Sequence, residues 1–270
     1  MDKQFQRTAM LLGRPAVDTL LSSRVCVMGV GGVGGYVVEA LARSGVGELH
    51  LVDSDRVDIT NLNRQIIALH STIGQYKVDI AAQRVHDIHP ACIVKTYKMF
   101  YLPDTADAIN LTDMDYVVDC VDTVTAKIHL ITRCKSLGVP LICSMGAANK
   151  MDPSAFRVSD IEDTIMDPLA KVIRKKLRKL GIKHQKVVWS PEQPLSPLMS
   201  DENGERVPAS NAFVPPAAGL VIASEVVKDL LKKNHTYRIP PEEEAENPYA
   251  QEARRKAEIW ERQREENTGF

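Results

Sequence analysis

Residues 24–35 read Arg24-Val-Cys-Val-Met-Gly29-Val-Gly31-Gly32-Val-Gly34-Gly35. A short apolar run, Arg24 to Val30, enters a glycine cluster, and a segment with helical periodicity, Tyr36 to Ser44, leaves it. Strand, glycine turn and helix in that order make an anion site. The glycines permit a tight turn and close backbone approach, and the helix N-terminus attracts phosphate charge. Gly29, Gly31, Gly32 and Gly34 are therefore expected to line a nucleotide. This stretch alone does not separate a dinucleotide from ATP.

The pattern continues outward from it. Gly45 supplies a left-handed cap, and Glu48 to Asp53 is a second strand. From Lys77, the positions Val78, Ala81, Ala82, Val85 and Ile88 mark one helix face, which Pro90 ends. Cys92 to Tyr97, Tyr116 to Val121 and Pro140 to Ser144 read as further strands, and Thr123 to Leu137 as a helix closed by Gly138. Strands alternating with helices imply right-handed crossovers. They predict an α/β protein with a Rossmann-like doubly wound sheet, mostly parallel in the first half. Ligands of such sheets lie beyond the carboxyl ends of the strands, where the glycine cluster, Asp53 and Asp122 all fall.

The second half adds helices and loops. Asp167-Pro168 is a strong helix start, and that helix runs to Leu180 with Gly181 as its stop. Lys186 to Trp189 reads as a strand, Ser190 to Val214 as a long proline-containing loop, and Ala217 to Lys233 as an apolar helix. From Pro241 the chain is rich in Glu and Arg, a solvated helix or a disordered tail.

Composition narrows the class. The chain has 270 residues, 44% apolar, with 34 Lys+Arg against 35 Asp+Glu. These are globular values. The five cysteines show no C-x-x-C spacing, so neither a disulfide framework nor a Cys-rich zinc site is expected, and a reducing cytoplasm fits. The N-terminus lacks a signal-peptide stretch. The most apolar segment, Ala212 to Val227, is shorter than a membrane span and carries two prolines, so it reads as a buried helix rather than a membrane insertion.

Four further features carry chemistry. Asp53, 19 residues after Gly34, suits ribose hydroxyls. Asp53-Ser-Asp55, then Asn61-Leu-Asn63-Arg64-Gln65, then Lys77 suit a triphosphate, whose charge must be balanced for pyrophosphate to leave. Asp122, in Asp119-Cys-Val-Asp122, can hold Mg²⁺ against phosphate oxygens or cap the following helix. Lys171 to Lys186 holds eight Lys/Arg and no acid, which is either a solvated helix face or a phosphate-backbone surface.

Together G-x-G-G-x-G, D-x-D, N-x-N-R-Q, the following Lys and D-x-x-D resemble the ubiquitin-activating-enzyme-like superfamily of adenylating enzymes, over residues 1 to about 150. Ser144-Met-Gly-Ala-Ala-Asn149-Lys150-Met-Asp-Pro153, Asp167-Pro-Leu-Ala170, Val187-Val-Trp-Ser190 and Ala212-Phe-Val-Pro215 are similar to its tRNA threonylcarbamoyladenosine dehydratase branch, extending the resemblance to about residue 233. The resemblance implies ATP and Mg²⁺, with Gly29, Gly31, Gly32, Gly34, Asp53, Asp55, Asn61, Arg64 and Lys77 at the nucleotide and Asp122 at the metal. Arg64, Lys77 and Asp122 would be catalytic, together with Arg7, which matches an arginine given across a homodimer interface. It implies a tRNA substrate, for which Arg174, Lys175, Lys176, Arg178 and Lys179 are the expected contacts. The reaction would adenylate the carboxylate of threonylcarbamoyladenosine and let it cyclise. The motifs name no general base and no sulfur-transfer-type helper protein. Residues 1–240 would be one ATP-binding adenylating domain and 241–270 a charged tail. The rival reading is an adenylyltransferase for a ubiquitin-like carrier protein. Paired C-x-x-C motifs and a catalytic cysteine late in the chain, frequent in carrier-protein activators, are absent here, since no cysteine follows Cys143.

The last 30 residues carry a net −4, so the remaining 240 are slightly basic, and the overall charge of −1 does not count against an RNA partner.

Overall fold

The computed structural model describes residues 2–200, 204 and 207–238; the tail from 241 lies outside the described residues. Residues up to Thr236 form one compact unit. Seven strands make its sheet: β1 (Arg24–Met28), β2 (Glu48–Val52), β3 (Ile93–Tyr97), β4 (Tyr116–Asp119), β5 (Leu141–Ser144), β6 (Arg157–Asp160) and β7 (Lys186–Trp189). Their order is β3-β2-β1-β4-β5-β7-β6. All pairings are parallel except β6 with β7. The doubly wound α/β sheet is thus observed, with an antiparallel edge that the sequence pattern does not announce.

Among the described residues seven α-helices accompany it: α1 (Gln6–Leu12), α2 (Arg14–Leu21), α3 (Gly34–Ser44), α4 (Lys77–Ile88), α5 (Val124–Leu137), α6 (Pro168–Lys179) and α7 (Val214–Lys233). β4 and β5 are buried along their whole length, as continuous apolar runs in a parallel sheet should be. β3, the outer strand, is exposed or half-buried throughout. α3 and α5 end on Gly45 and Gly138, both with positive φ (94° and 68°).

The apolar α7 is an internal element. It buries Val214, Ala218, Ile222, Val226 and Leu230, among others. A Cβ on Gly219 would stand 2.4 Å from the carbonyl oxygen of Val33 and 2.9 Å from the Cβ of Tyr36, so glycine lets α7 touch the start of α3. Among the described residues no helix is long and apolar enough to cross a membrane. α7 begins three residues earlier than its periodicity suggests, because Pro215 and Pro216 fit a first helical turn.

The sheet order sets the position of any ligand. From β1 the chain moves outward to β2 and β3, then returns to the other side of β1 as β4. The crevice between the carboxyl ends of β1 and β4 is the switch point of the fold.

Candidate active site

The glycine turn lies in that crevice. Gly29 has φ +86°, and a Cβ there would sit 2.9 Å from the carbonyl oxygen of Cys120. Gly34 is more constrained still: its Cβ would fall 1.8 Å from the oxygen of Gly29. Gly34 therefore closes the turn, while Gly29, Gly31 and Gly32 line a cavity of about 740 Å³. Asp53, Asp55, Asn61, Arg64, Lys77 and Asp122 line the same cavity.

Each side chain is held by its neighbours. Asp53 accepts hydrogen bonds from the amides of Val30 (2.7 Å) and Asp55 (2.8 Å), tying β2 to the glycine turn. Burial pushes its pKa above the ordinary aspartate value despite those donors. Lys77, at the first position of α4, is buried, and its Nζ donates to Asp55 at 2.7 Å. Asp55 thus aims the lysine. Arg64 donates to the carbonyl of Thr60 (3.0 Å) and to Oδ1 of Asn63 (2.9 Å), and its stem passes beside Gly32 and Pro215. Asn61 is buried and caps its own short turn: its Oδ1 accepts from the amide of Asp58 at 3.2 Å. Asp122 is exposed at the end of β4, 3.4 Å from the Thr123 hydroxyl. Thr123, not Asp122, occupies the N-cap of α5, so the carboxylate remains open to the cavity.

Three buried groups here have no role in the sequence reading. Gln65 lines the cavity, and its Oε1 is buried with no hydrogen-bond partner among the described residues. Its place in N-x-N-R-Q is the only signal that points to it. Lys127 of α5 is fully buried; its Nζ donates to Asp119 at 3.0 Å and to the carbonyl of Ser144 at 2.7 Å. Burial disfavours its charge, but Asp119 outweighs that, so the ammonium titrates above its usual range. It pins the ends of β4 and β5 together. Asp119 also accepts from the amide of Val121 at 3.1 Å, shaping the turn that presents Asp122.

The opposite wall comes from the second half of the chain. Gly146–Lys150, Asp167–Leu169, Pro208, Ser210 and Pro215 contribute to it. Lys150 is buried, and its Nζ donates to the carbonyls of Gly146 (2.8 Å) and Ser190 (3.1 Å) and lies 3.4 Å from Asp167. Asp167 accepts from the amides of Gly146 (3.0 Å) and Ala170 (2.9 Å), capping α6 as its sequence predicts. Asn149 adopts φ +61° and exchanges hydrogen bonds with Ala209, at 2.8 and 2.7 Å. This latches the proline-containing loop to the cavity wall.

Two groups of predicted residues lie elsewhere. Arg7 is exposed on α1 and does not line the cavity of its own chain. The basic stretch is divided. Arg174 turns inward and donates to Thr164 and to the carbonyl of Ile161, and Arg178 pairs with Glu162. Lys171, Lys175, Lys176 and Lys179 are exposed and form no ion pair among the described residues. All five cysteines are free thiols, and burial raises the pKa of each, Cys92 to about 11 and Cys134 to about 12. Of these, Cys120 lines the cavity. Among the described residues no cluster of three metal-ligating side chains occurs.

The sheet, the switch point and the glycine turn define a Rossmann-like α/β protein with a phosphate-binding turn. The ThiF family matches residues 5–267, and the chain belongs to that family. The chain is 48% identical over 248 residues to the tRNA threonylcarbamoyladenosine dehydratase of Bacillus subtilis (strain 168), covering 87% of this chain and 98% of that protein. With the protein of the same name from Escherichia coli (strain K12) it shares 39% identity over 176 residues, 65% of this chain and 66% of the relative. The structure of E. coli tRNA N6-threonylcarbamoyladenosine dehydratase, TcdA, in complex with ATP superposes with a TM-score of 0.78 at 32% identity, over 86% of this chain and 96% of that one.

Proposed function

We propose that this chain is an ATP-dependent tRNA threonylcarbamoyladenosine dehydratase. ATP occupies the glycine turn, with its ribose on Asp53 and its phosphates toward Arg64 and Lys77. A carboxylate oxygen of the modified adenosine attacks the α-phosphorus in line, and the bond to pyrophosphate breaks. The fixed cations balance the charge that leaves, so catalysis is orientation and electrostatics. An atom of the substrate's own ureido-threonine group then attacks the activated carbonyl, and AMP departs with the former carboxylate oxygen. The net change in the nucleoside is loss of one water.

The observation that carries this reading is a single cavity joining the adenylation residues to a second-half wall. Among the described residues Cys120 is the one thiol lining it, and burial keeps that thiol protonated at neutral pH. A persulfide or thioester relay, which a carrier-protein adenylyltransferase would pass its product to, would have only Cys120 as a nucleophile in this cavity among the described residues, and burial disfavours its thiolate. An intramolecular cyclisation needs no enzyme nucleophile.

Asp122 fits Mg²⁺. It is one exposed carboxylate at the cavity, and magnesium takes one or two carboxylates with phosphates and waters rather than an all-protein cage. When bound there, the ion would neutralise phosphate charge. Arg7 fits a homodimer, because it lies away from its own cavity and is free to serve a second copy. The partner is tRNA carrying threonylcarbamoyladenosine, and the compartment is the cytoplasm.

The test is to incubate the protein with ATP, Mg²⁺ and threonylcarbamoylated tRNA, digest the RNA and weigh the nucleoside. Loss of one water supports the dehydratase. An unchanged mass, with AMP formed only when a carrier protein with a Gly-Gly terminus is added, assigns the rival activity.

A further inference from the structure

The loop before α6 displays two large apolar side chains to solvent. Ile165 is 59% exposed and Met166 62%. Met166 also holds φ +56°, a left-handed conformation that an unbranched, non-glycine residue adopts at an energetic cost. Neither exposure nor strain helps the fold, so the surroundings must impose both.

They do so from beneath. Thr164 is buried, and its hydroxyl donates to the carbonyl of Ile161 at 2.7 Å. Arg174 reaches back from α6 to the carbonyl and hydroxyl of Thr164. On the other side Asp167 is buried, fixed by the amides of Gly146 and Ala170 and by Lys150. The dipeptide is clamped at both ends and held up as a rigid apolar knob. Asp167, Pro168 and Leu169, the next three residues, line the cavity. Exposed Lys171 follows within one turn of α6, then Lys175, Lys176 and Lys179. An apolar knob at the rim of a reaction cavity, backed by exposed cations, matches single-stranded nucleic acid, in which anionic backbone and apolar base faces alternate.

We infer that Ile165 and Met166 form a wedge that packs against the bases next to the reacting nucleotide of an RNA loop. The inference rests on the tRNA reading above. A nucleotide entering the cavity must leave its stack, and its neighbours are left with bare faces. Apolar wedges fill such gaps in other nucleic-acid complexes. The lysines of α6 hold the backbone, and the knob holds the gap open.

The test compares wild type with the double variant Ile165→Ser/Met166→Asn. Asparagine tolerates positive φ, so the loop keeps its shape while losing its apolar surface. Affinity for threonylcarbamoylated tRNA is measured at several salt concentrations, with ATP affinity, sedimentation and melting temperature measured alongside. The expected result is a roughly tenfold or greater loss of tRNA affinity, with the salt slope, ATP affinity and oligomeric state unchanged and the melting temperature not lowered. The single variant Met166→Gly, which relieves the strain and removes the side chain, should show part of the same loss. A wild type that dehydrates its substrate and a double variant that binds tRNA within about twofold of it overturn the wedge alone. A variant that dissociates into smaller species assigns the knob to contact between copies and also overturns it. A wild type that neither binds nor changes the tRNA overturns the substrate reading, and the wedge with it.

Discussion

The two walls of the cavity are built on different principles. The wall from β1, β2, β4 and the Asn61–Lys77 segment uses backbone turns and cations that face the cavity. Arg64 is anchored by its neighbours Thr60 and Asn63, whereas Asp53 accepts from Val30 across the glycine turn and Lys77 reaches back from the start of α4 to Asp55. The opposite wall, from Gly146 to Pro215, spends its charges internally. Lys150 and Asp167 are buried against each other and against the carbonyls of Gly146 and Ser190 and the amides of Gly146 and Ala170. A nucleotide needs cations and amides that face it. A particular acyl substrate needs a fixed shape, and buried charges paired with each other help to fix it.

The first way to break this comparison is Arg64→Ala. The hydrogen bonds of Arg64 are to its neighbours Thr60 and Asn63, so its loss should remove transition-state charge balance and leave the fold intact. A fall in kcat/KM of about three orders of magnitude is expected, with a melting temperature close to wild type. An active Arg64→Ala enzyme would remove the catalytic role from this wall.

Lys150→Met reverses the pattern. Removing the ammonium leaves Asp167 as an uncompensated buried carboxylate, and stability should drop by about 3–5 kcal/mol in urea unfolding. At a temperature where the variant is folded, ATP affinity should be little changed while turnover on tRNA falls, because the displaced residues belong to the substrate wall. Equal losses of ATP and tRNA binding would mean that the walls are not separable.

Buried lysines also show what local sequence can and cannot disclose. The glycine turn and Asp53 are legible from turn chemistry and strand–helix spacing, and Arg64, Lys77 and Asp122 from the motifs of the superfamily that the sequence resembles; apart from Gly34, which closes the turn, they line the cavity. Lys127 is legible from neither. On a helix read from periodicity it is an ordinary cation, and only the return of β4 beside β1 and the arrival of β5 bury it against Asp119 and Ser144. β6 is equally hidden: Arg157-Val-Ser-Asp160 is short and polar, and it becomes a strand by pairing with β7, whose residues lie well downstream. Helices α1 and α2 also escape the pattern, since they span only seven and eight residues.

The pH dependence of nucleotide binding sharpens the first wall. Desolvation raises the folded-state pKa of Asp53, so the protonated form is the one folding favours. Its contribution to stability is therefore largest at low pH and is lost as pH rises through the raised value. ATP affinity runs the other way. Ribose hydroxyls donate to the ionised carboxylate, so affinity should fall as pH drops through that value, at a pH above the range of an ordinary aspartate. Asp53→Asn should cost about tenfold in ATP affinity near neutrality and flatten the acid limb. An acid limb that survives in Asp53→Asn belongs to another group.

The smallest effects are expected on α6, where packing divides one basic run. By sequence, Arg174, Lys175, Lys176, Arg178 and Lys179 form one tRNA surface. Arg174, however, braces the loop carrying Thr164, and Arg178 is paired with Glu162. Lys175→Glu with Lys179→Glu should weaken tRNA binding several-fold and lower the salt slope by about one for each phosphate that the variant no longer neutralises, without altering melting. Arg174→Glu should instead lower the melting temperature, because it removes donors to the Ile161 and Thr164 carbonyls and unclamps the Ile165–Met166 knob. If the two sets of variants behave alike, α6 acts as a uniform charged face, and the inward turn of Arg174 is without consequence for RNA.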